Sequence, residues 1–168
     1  MSLLLVGSVN AHVGFRDGMA VLRSGGTAID AVVATIRQVE ANPDDHSVGL
    51  GGLPNLDGEV ELDASIMDGR TLATGAVAAM HGYQDAISLA RVVMDELPHV
   101  LVVGPGAGRL ASEAGFRPQD LLIGPGWARR SRRSGVEERP DLLRRGRGVV
   151  GDQEVVVGAG PQHRVREP

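Results

Sequence analysis

The sequence predicts an α+β fold for residues 1–120 and an irregular segment for residues 121–168. Three observations carry that division. Apolar residues recur at helical spacing in several stretches. The stretch Glu59 to Ile66 instead alternates strictly, which is the period of a half-buried strand. From Ile123 onward neither period survives until Val155 to Val157, and arginines crowd in among Ser and Gly.

Composition sharpens this reading. Hydrophobic residues make up 42% of the 168, enough for one domain with a real core. Aromatics are only 2%, and there are 24 Gly, so the core is built from small and branched side chains with backbones close together. No cysteine is present, which excludes disulfides, Cys-based zinc sites and thiol catalysis. All 17 basic residues are Arg, which excludes a Schiff-base or P-loop lysine. Residues 1–120 hold 7 Arg and 15 acidic residues, whereas residues 121–168 hold 10 Arg and 6 acidic residues. That reversal of sign marks a boundary near residue 120.

In chain order, Ser2 to Ser8 reads as a short buried strand. It has no basic n-region and no long apolar core, so it is not read as a signal peptide, and a cytoplasmic location is expected. No apolar run approaches membrane-spanning length. Gly14 to Ser24 reads as a helix with Met19, Val21 and Leu22 inward, stopped by Gly25-Gly26. Thr27 caps a second helix, with Asp30 in capping-box position. Its apolar residues Ile29, Val32, Val33, Ile36 and Val39 recur at helical spacing, and Ala28, Ala31 and Ala34 keep another side small. Such a helix suits two close partners, or a sheet. Asn42-Pro43 ends it.

Asp44-Asp45-His46 leads into a loop with Gly49, Gly51 and Gly52, where backbone passes close to something, either packed protein or a ligand. In the strand that follows, Val60, Leu62, Ala64 and Ile66 face one way, and Glu59, Glu61, Asp63 and Ser65 the other. Asp68-Gly69 signals a turn, and Thr74 to Met80 completes a hairpin. Asp85 caps a helix from Ala86 to about Glu96, with Ile87, Ala90, Met94 and Leu97 on one face and Pro98 at its end. Val100 to Val103 is a short buried strand, and a helix runs from about Ala107 to Ala114.

Few spacings in the chain carry chemistry. Val103-Gly104-Pro105-Gly106-Ala107-Gly108 follows a strand and opens a helix, like a dinucleotide loop, but Arg109 stands where the third glycine belongs. A structural strand-to-helix turn is the better reading. Arg129, Arg130, Arg132, Arg133, Arg144, Arg145 and Arg147 lack aromatic interleaving apart from Trp127, and the rest of the chain is acidic, so nucleic-acid binding is not expected. His12, His46, His81, His99 and His163 show no metal-ligand spacing. His46, beside Asp44, Asp45 and Ser47, is the one local acid–base cluster, and on spacing a polar loop entering a strand is the better reading.

Several of these stretches, taken together, resemble one family. Gly25-Gly26-Thr27-Ala28-Ile29-Asp30-Ala31-Val32 is similar to the helix signature of asparaginase and glycosylasparaginase-type N-terminal-nucleophile hydrolases. Ser47 to Asp68 resembles that family's glycine loop and following strand. The resemblance continues through Gly75 to Ala79, Ile87 to Met94 and Pro98 to Gly104, and ends near Gly115-Phe116. It covers about residues 5–120, the family's α-subunit region, and implies part of a four-layer αββα sandwich.

The resemblance also implies a chemistry. Family members cut their own precursor before a threonine, usually within His-Asp-Thr, and the new N-terminal threonine attacks the side-chain amide of asparagine, glycosylasparagine or a β-aspartyl peptide. The threonines here are Thr27, Thr35, Thr71 and Thr74, and no His-Asp-Thr occurs. The nucleophile is therefore absent from these residues, and the chain alone is expected to be inactive. Ser47 is the catalytic carry-over, in a supporting role beside the nucleophile; a loop serine bonded to nearby backbone is the competing account. The position near Ser8-Val9-Asn10, which faces substrate in the family, carries no aromatic or acidic group. Val150-Gly151-Asp152 and Val157-Gly158-Ala159-Gly160 are similar to the loop that holds the substrate's amino and carboxylate groups, which implies substrate-binding roles for Asp152, Gly158 and Gly160. Val149 replaces the expected arginine and Gln153-Glu154 the expected Ser-Pro, so the carboxylate clamp is lost.

A truncation, internal deletion or frameshift near Leu121 to Gly124 accounts for the composition break. No cofactor and no metal is expected, nor nucleic acid or membrane as partner, and the resemblance implies a small amide substrate if the chain is active. The rival reading is a non-catalytic binding or scaffold protein that pairs with a complete paralogue, or with another copy of itself.

Overall fold

The computed structural model describes residues 3–55 and 57–123. A 3₁₀ turn at Val9–Gly14 leads into helix α1 (Phe15–Arg23), followed by α2 (Ala28–Glu40), β1 (Glu61–Met67), β2 (Thr74–His81), α3 (Ala86–Glu96), β3 (Leu101–Val103) and α4 (Pro105–Glu113). The strands form one mixed sheet in the order β1-β2-β3, with β1 and β2 antiparallel and β2 and β3 parallel. Helix α3 is the crossover between the parallel pair. These helices and this mixed sheet are the expected α+β arrangement. Among the described residues no helix is long and apolar enough to cross a membrane.

The strand pattern produces the core directly. Val60, Leu62 and Ile66 are each 5% exposed and point to one face, where they meet Val77 and Met80 of β2. Helix α3 lies on that face and brings Ile87, Leu89, Ala90 and Val93, all almost fully buried. Each of the larger side chains contributes roughly 1.5–3 kcal/mol relative to exposure. The close backbone packing implied by the small residues is found where α3 crosses β2. A Cβ added at Gly75 would meet Ala90 O at 2.2 Å and Met94 N at 2.4 Å. Helix α2 packs against both α1 and α3, so two helical partners are what its small and apolar sides serve. Its start is the predicted capping box, with Asp30 N–H donating to Thr27 Oγ1 at 3.1 Å and Thr27 N–H to Asp30 Oδ2 at 3.1 Å.

The hairpin contains one irregularity. Leu62 pairs with Met80 but Ala64 pairs with Val77, so β2 carries an extra residue opposite Asp63. Ala79 takes φ +48° there, and its N–H donates to Asp63 Oδ1 at 2.7 Å. The Asp63 side chain replaces a ladder acceptor at this bulge. The turn signalled by Asp68-Gly69 becomes a connection over residues 68–73, with Asp68 Oδ1 accepting from Arg70 N–H at 2.7 Å.

Four expectations need correction. Residues 3–8 are not a buried strand: they have no ladder partner among the described residues, and Leu3, Leu4 and Val6 are about half exposed. An apolar run makes a strand only where an edge is available to pair with it. β3 does pair, but it is not buried, because the helices cover only one face of the sheet; Leu101 and Val103 point to the other. On α1 the buried positions are Gly18 and Leu22, whereas Met19 and Val21 are half-buried, since α1 sets Gly18 directly against Thr35 and Ala31 of α2. On α3 the expected face does meet the core: Ile87 and Ala90 are almost fully buried, together with Ala86, Leu89 and Val93, and Met94 and Leu97 pack against the same cluster while partly buried. Asp85 stands at the start of α3 but makes no side-chain cap; its Oδ1 accepts from Arg37 Nε at 3.2 Å.

The Gly104 turn is built into the sheet. Gly104 N–H donates to Ala78 O at 2.8 Å, and Pro105 opens α4. Just past the composition break, Leu121 and Leu122 lie in the core at 3% and 6% exposure. The irregular segment expected beyond Ile123 falls outside the described residues.

Candidate functional site

The glycine loop follows α2 and is pressed onto its last turn. Leu50 N–H donates to Glu40 O at 2.7 Å. Gly49, at φ +61°, lies so close that an added Cβ would meet Glu40 O at 2.0 Å. Of the two accounts of these glycines, packed protein explains Gly49. The loop is tied at its other end as well, with Gly51 N–H donating to Leu121 O at 2.8 Å and Leu53 N–H to His46 O at 3.0 Å. His46 Nδ1 lies 2.8 Å from Gly51 O. A carbonyl only accepts, so Nδ1 carries the proton.

Ser47 is exposed at the outer bend of this loop. Its Oγ–H donates to Asp45 Oδ1 at 2.5 Å, and its N–H donates to the same oxygen at 2.9 Å. Asp45 thus uses up the hydroxyl's one proton and leaves its lone pairs outward, making Ser47 an acceptor for an incoming donor. Asp45 Oδ2 is buried and finds no partner among the described residues. The structure brings Asp45, His46 and Ser47 together at one bend. Asp152, Gly158 and Gly160 lie outside the described residues.

Among the described residues, two surface clefts bear on the site. One, of about 510 Å³, is bordered by Arg37, Gln84, Asp85, Ser88, Phe116 and Arg117. The other, of about 320 Å³, is bordered by Glu59, Val60, His81, Gln119 and Leu122. Neither includes Ser47. Among the described residues no group of three or more His, Asp or Glu is placed to hold a metal ion.

Glu40 is the residue that sequence reasoning passed over. It is 4% exposed, and its Oε1 accepts from Ile87 N–H at 2.9 Å. It therefore caps α3 from another helix, the role expected of Asp85. Its Oε2 is buried and has no partner among the described residues. Burial pushes its carboxyl up to about 8, with the Asp85 charge adding to the effect and the Ile87 N–H and Arg37 opposing it. The magnitudes agree with that direction. A helix N-terminus favours a carboxylate by roughly 0.3–2 kcal/mol, whereas stripping water from an ionised one costs several kcal/mol. Burial therefore favours the neutral carboxyl of Glu40 near neutral pH. A signal was present in the sequence, because Ile29, Val33, Ile36 and Glu40 form one stripe at helical spacing, and its last member is an acid in an apolar register.

Comparison with known proteins completes the picture. The sequence model of the family described as asparaginase matches residues 9–132. The chain is 48% identical over 106 residues to N(4)-(beta-N-acetylglucosaminyl)-L-asparaginase of Elizabethkingia miricola, covering 63% of this chain and 31% of that protein. It is 40% identical over 109 residues to isoaspartyl peptidase/L-asparaginase of Rattus norvegicus, covering 64% of this chain and 32% of that protein. With the plant-type L-asparaginase of Pyrococcus abyssi it shares 38% identity over 151 residues, covering 79% of this chain and 49% of the relative. The chain thus spans about a third to a half of the length of these relatives. With a family match over most of its residues, and with the capped helix, glycine loop and hairpin folded around one core, the chain belongs to the asparaginase family.

Proposed function

We propose that this chain supplies the nucleophile-free half of a threonine amidohydrolase that acts on the side-chain amide of asparagine, glycosylasparagine or a β-aspartyl peptide. The observation that carries this reading is Ser47. It stands in the family's glycine loop, and Asp45 fixes its hydroxyl with the lone pairs outward. In that state it serves as an acceptor for the ammonium or hydroxyl of an N-terminal threonine, which holds the nucleophile's oxygen toward the substrate carbonyl. Asp152, Gly158 and Gly160 are proposed to contact substrate in the same reaction. The remaining fold is proposed to be an αββα sandwich whose second sheet covers the face bearing Met67, Leu101 and Val103, which are 58%, 50% and 52% exposed.

The 168 residues contain no threonine beyond Thr74, so this chain alone is expected neither to cleave itself nor to turn over substrate. The test is to incubate the purified chain with asparagine and with β-aspartyl peptides while following its mass. One intact chain and no product are expected. Two chains accompanied by turnover would sink the proposal.

The exposed sheet face also favours a second reading, in which the chain pairs with a complete paralogue without catalysis of its own. Co-purification of such a pair, with activity confined to the paralogue, is the result that separates the two.

A further inference from the structure

We propose that Glu40 is a proton-operated latch between the glycine loop and helix α3: the neutral carboxyl holds the two together, and they part with release of its proton. One residue grips both elements. Its side chain accepts the Ile87 N–H of α3 at 2.9 Å, and its main-chain carbonyl accepts the Leu50 N–H of the glycine loop at 2.7 Å. Gly49 lies directly against its backbone. The remaining carboxyl oxygen is buried with no partner among the described residues, so an ionised Glu40 in the closed arrangement has one charged oxygen facing neither water nor a donor. That is the costly state for a buried carboxylate.

The surroundings decide the direction. The charged groups acting on Glu40 are Arg37 from its own helix and Asp85 at the start of α3, and these two are already paired with each other at 3.2 Å. The glycine loop meets Glu40 with Gly49 and Leu50, neither of which ionises. No cation is therefore left free among these neighbours to stabilise the charge. The closed arrangement retains the proton at neutral pH, consistent with the raised carboxyl. Once the loop or the helix end moves away, water reaches the carboxyl and it ionises as an ordinary glutamate. Opening thus expels one proton and becomes easier as pH rises, until the closed form also loses its proton. The consequence for function rests on the reading of Ser47 as part of the site, because Ser47 is carried by the loop that the latch holds.

The experiment is amide hydrogen exchange of the full 168-residue chain by NMR, corrected for intrinsic exchange, at several values between about pH 5.5 and 7.5. Release of one proton on opening predicts that protection of Leu50 and Ile87 falls together, about tenfold per pH unit. The amide of Val77 in the sheet, which exchanges only when the whole fold opens, is expected to stay better protected than both at every pH, and Glu40→Gln to remove the pH dependence at both latch amides. The proposal is overturned if Leu50 and Ile87 show no slope or different slopes, or if Val77 is no better protected than they are, since opening is then global. It is equally overturned if the slope survives in Glu40→Gln, or if the chain lacks protected amides at these positions altogether.

Discussion

Helices α2 and α3 begin in two different ways. The N-terminus of α2 is satisfied by its own neighbours, with Thr27 and Asp30 exchanging hydrogen bonds across three residues. The N-terminus of α3 is satisfied by Glu40, 47 residues earlier in the chain. The first cap is exposed and survives wherever the helix forms. The second exists only when α2 and α3 are packed together. The two carboxyls also respond to acid in opposite senses. The Thr27 hydroxyl holds Asp30 below the usual carboxylate range, whereas burial raises Glu40. A local cap stabilises a helix, but a remote cap stabilises an arrangement of elements.

That contrast is most easily broken from the loop side. Gly49→Ala is expected to cost on the order of 3 kcal/mol or more in chemical denaturation, because the methyl group meets Glu40 O at 2.0 Å in a backbone conformation that disfavours it. A change below about 1 kcal/mol would mean that the loop does not bear on Glu40. The next effect is pH-dependent. Folded Glu40 keeps a proton that the unfolded chain releases above its ordinary value of 4.5. Stability is therefore expected to fall as pH rises from about 4.5 to about 8 and to level off beyond. Glu40→Gln removes this linkage, so the variant gains several kcal/mol on the parent by pH 8.5, at about 1.4 kcal/mol per unit of raised pKa, and loses that advantage near pH 4.5. Parallel pH profiles for the two proteins would rule the linkage out.

Thr27→Ala tests the local cap. It is expected to cost about 1 kcal/mol, with melting of α2 detectable by circular dichroism. The stability that Asp30 adds is present above the unfolded carboxylate pKa and is lost as pH falls through its lowered folded value, the reverse of Glu40. The smallest effect belongs to Asp85→Ala. It removes only a partly exposed pair with Arg37, so less than about 0.5 kcal/mol is expected. A loss near that of Thr27→Ala would instead make Asp85 the working cap of α3.

The same distinction explains what was legible beforehand. The hairpin was readable because Val60, Leu62 and Ile66 share the period of a strand, and the packing of that strand needs no knowledge of its partner. The α2 capping box was readable because its groups lie three residues apart. Ser47 was reached through the motif around it, but its bond to Asp45 comes from the bend of the loop. The tight seating of Gly49 was anticipated as a close approach, without its partner. β3 and residues 3–8 were misjudged for a common reason: an apolar run announces that it can be buried, not that a covering layer reaches it.

The sequence by itself determined the helices, the hairpin, one helix cap and membership of the asparaginase family, because each is written in residues a few positions apart. Only the tertiary structure decided that Glu40 caps α3, that Asp85 turns to Arg37, and that the described helices gather on one face of the sheet. Those outcomes depend on which distant groups compete for the same hydrogen-bond donor and the same dry space, and that competition is settled when the elements pack.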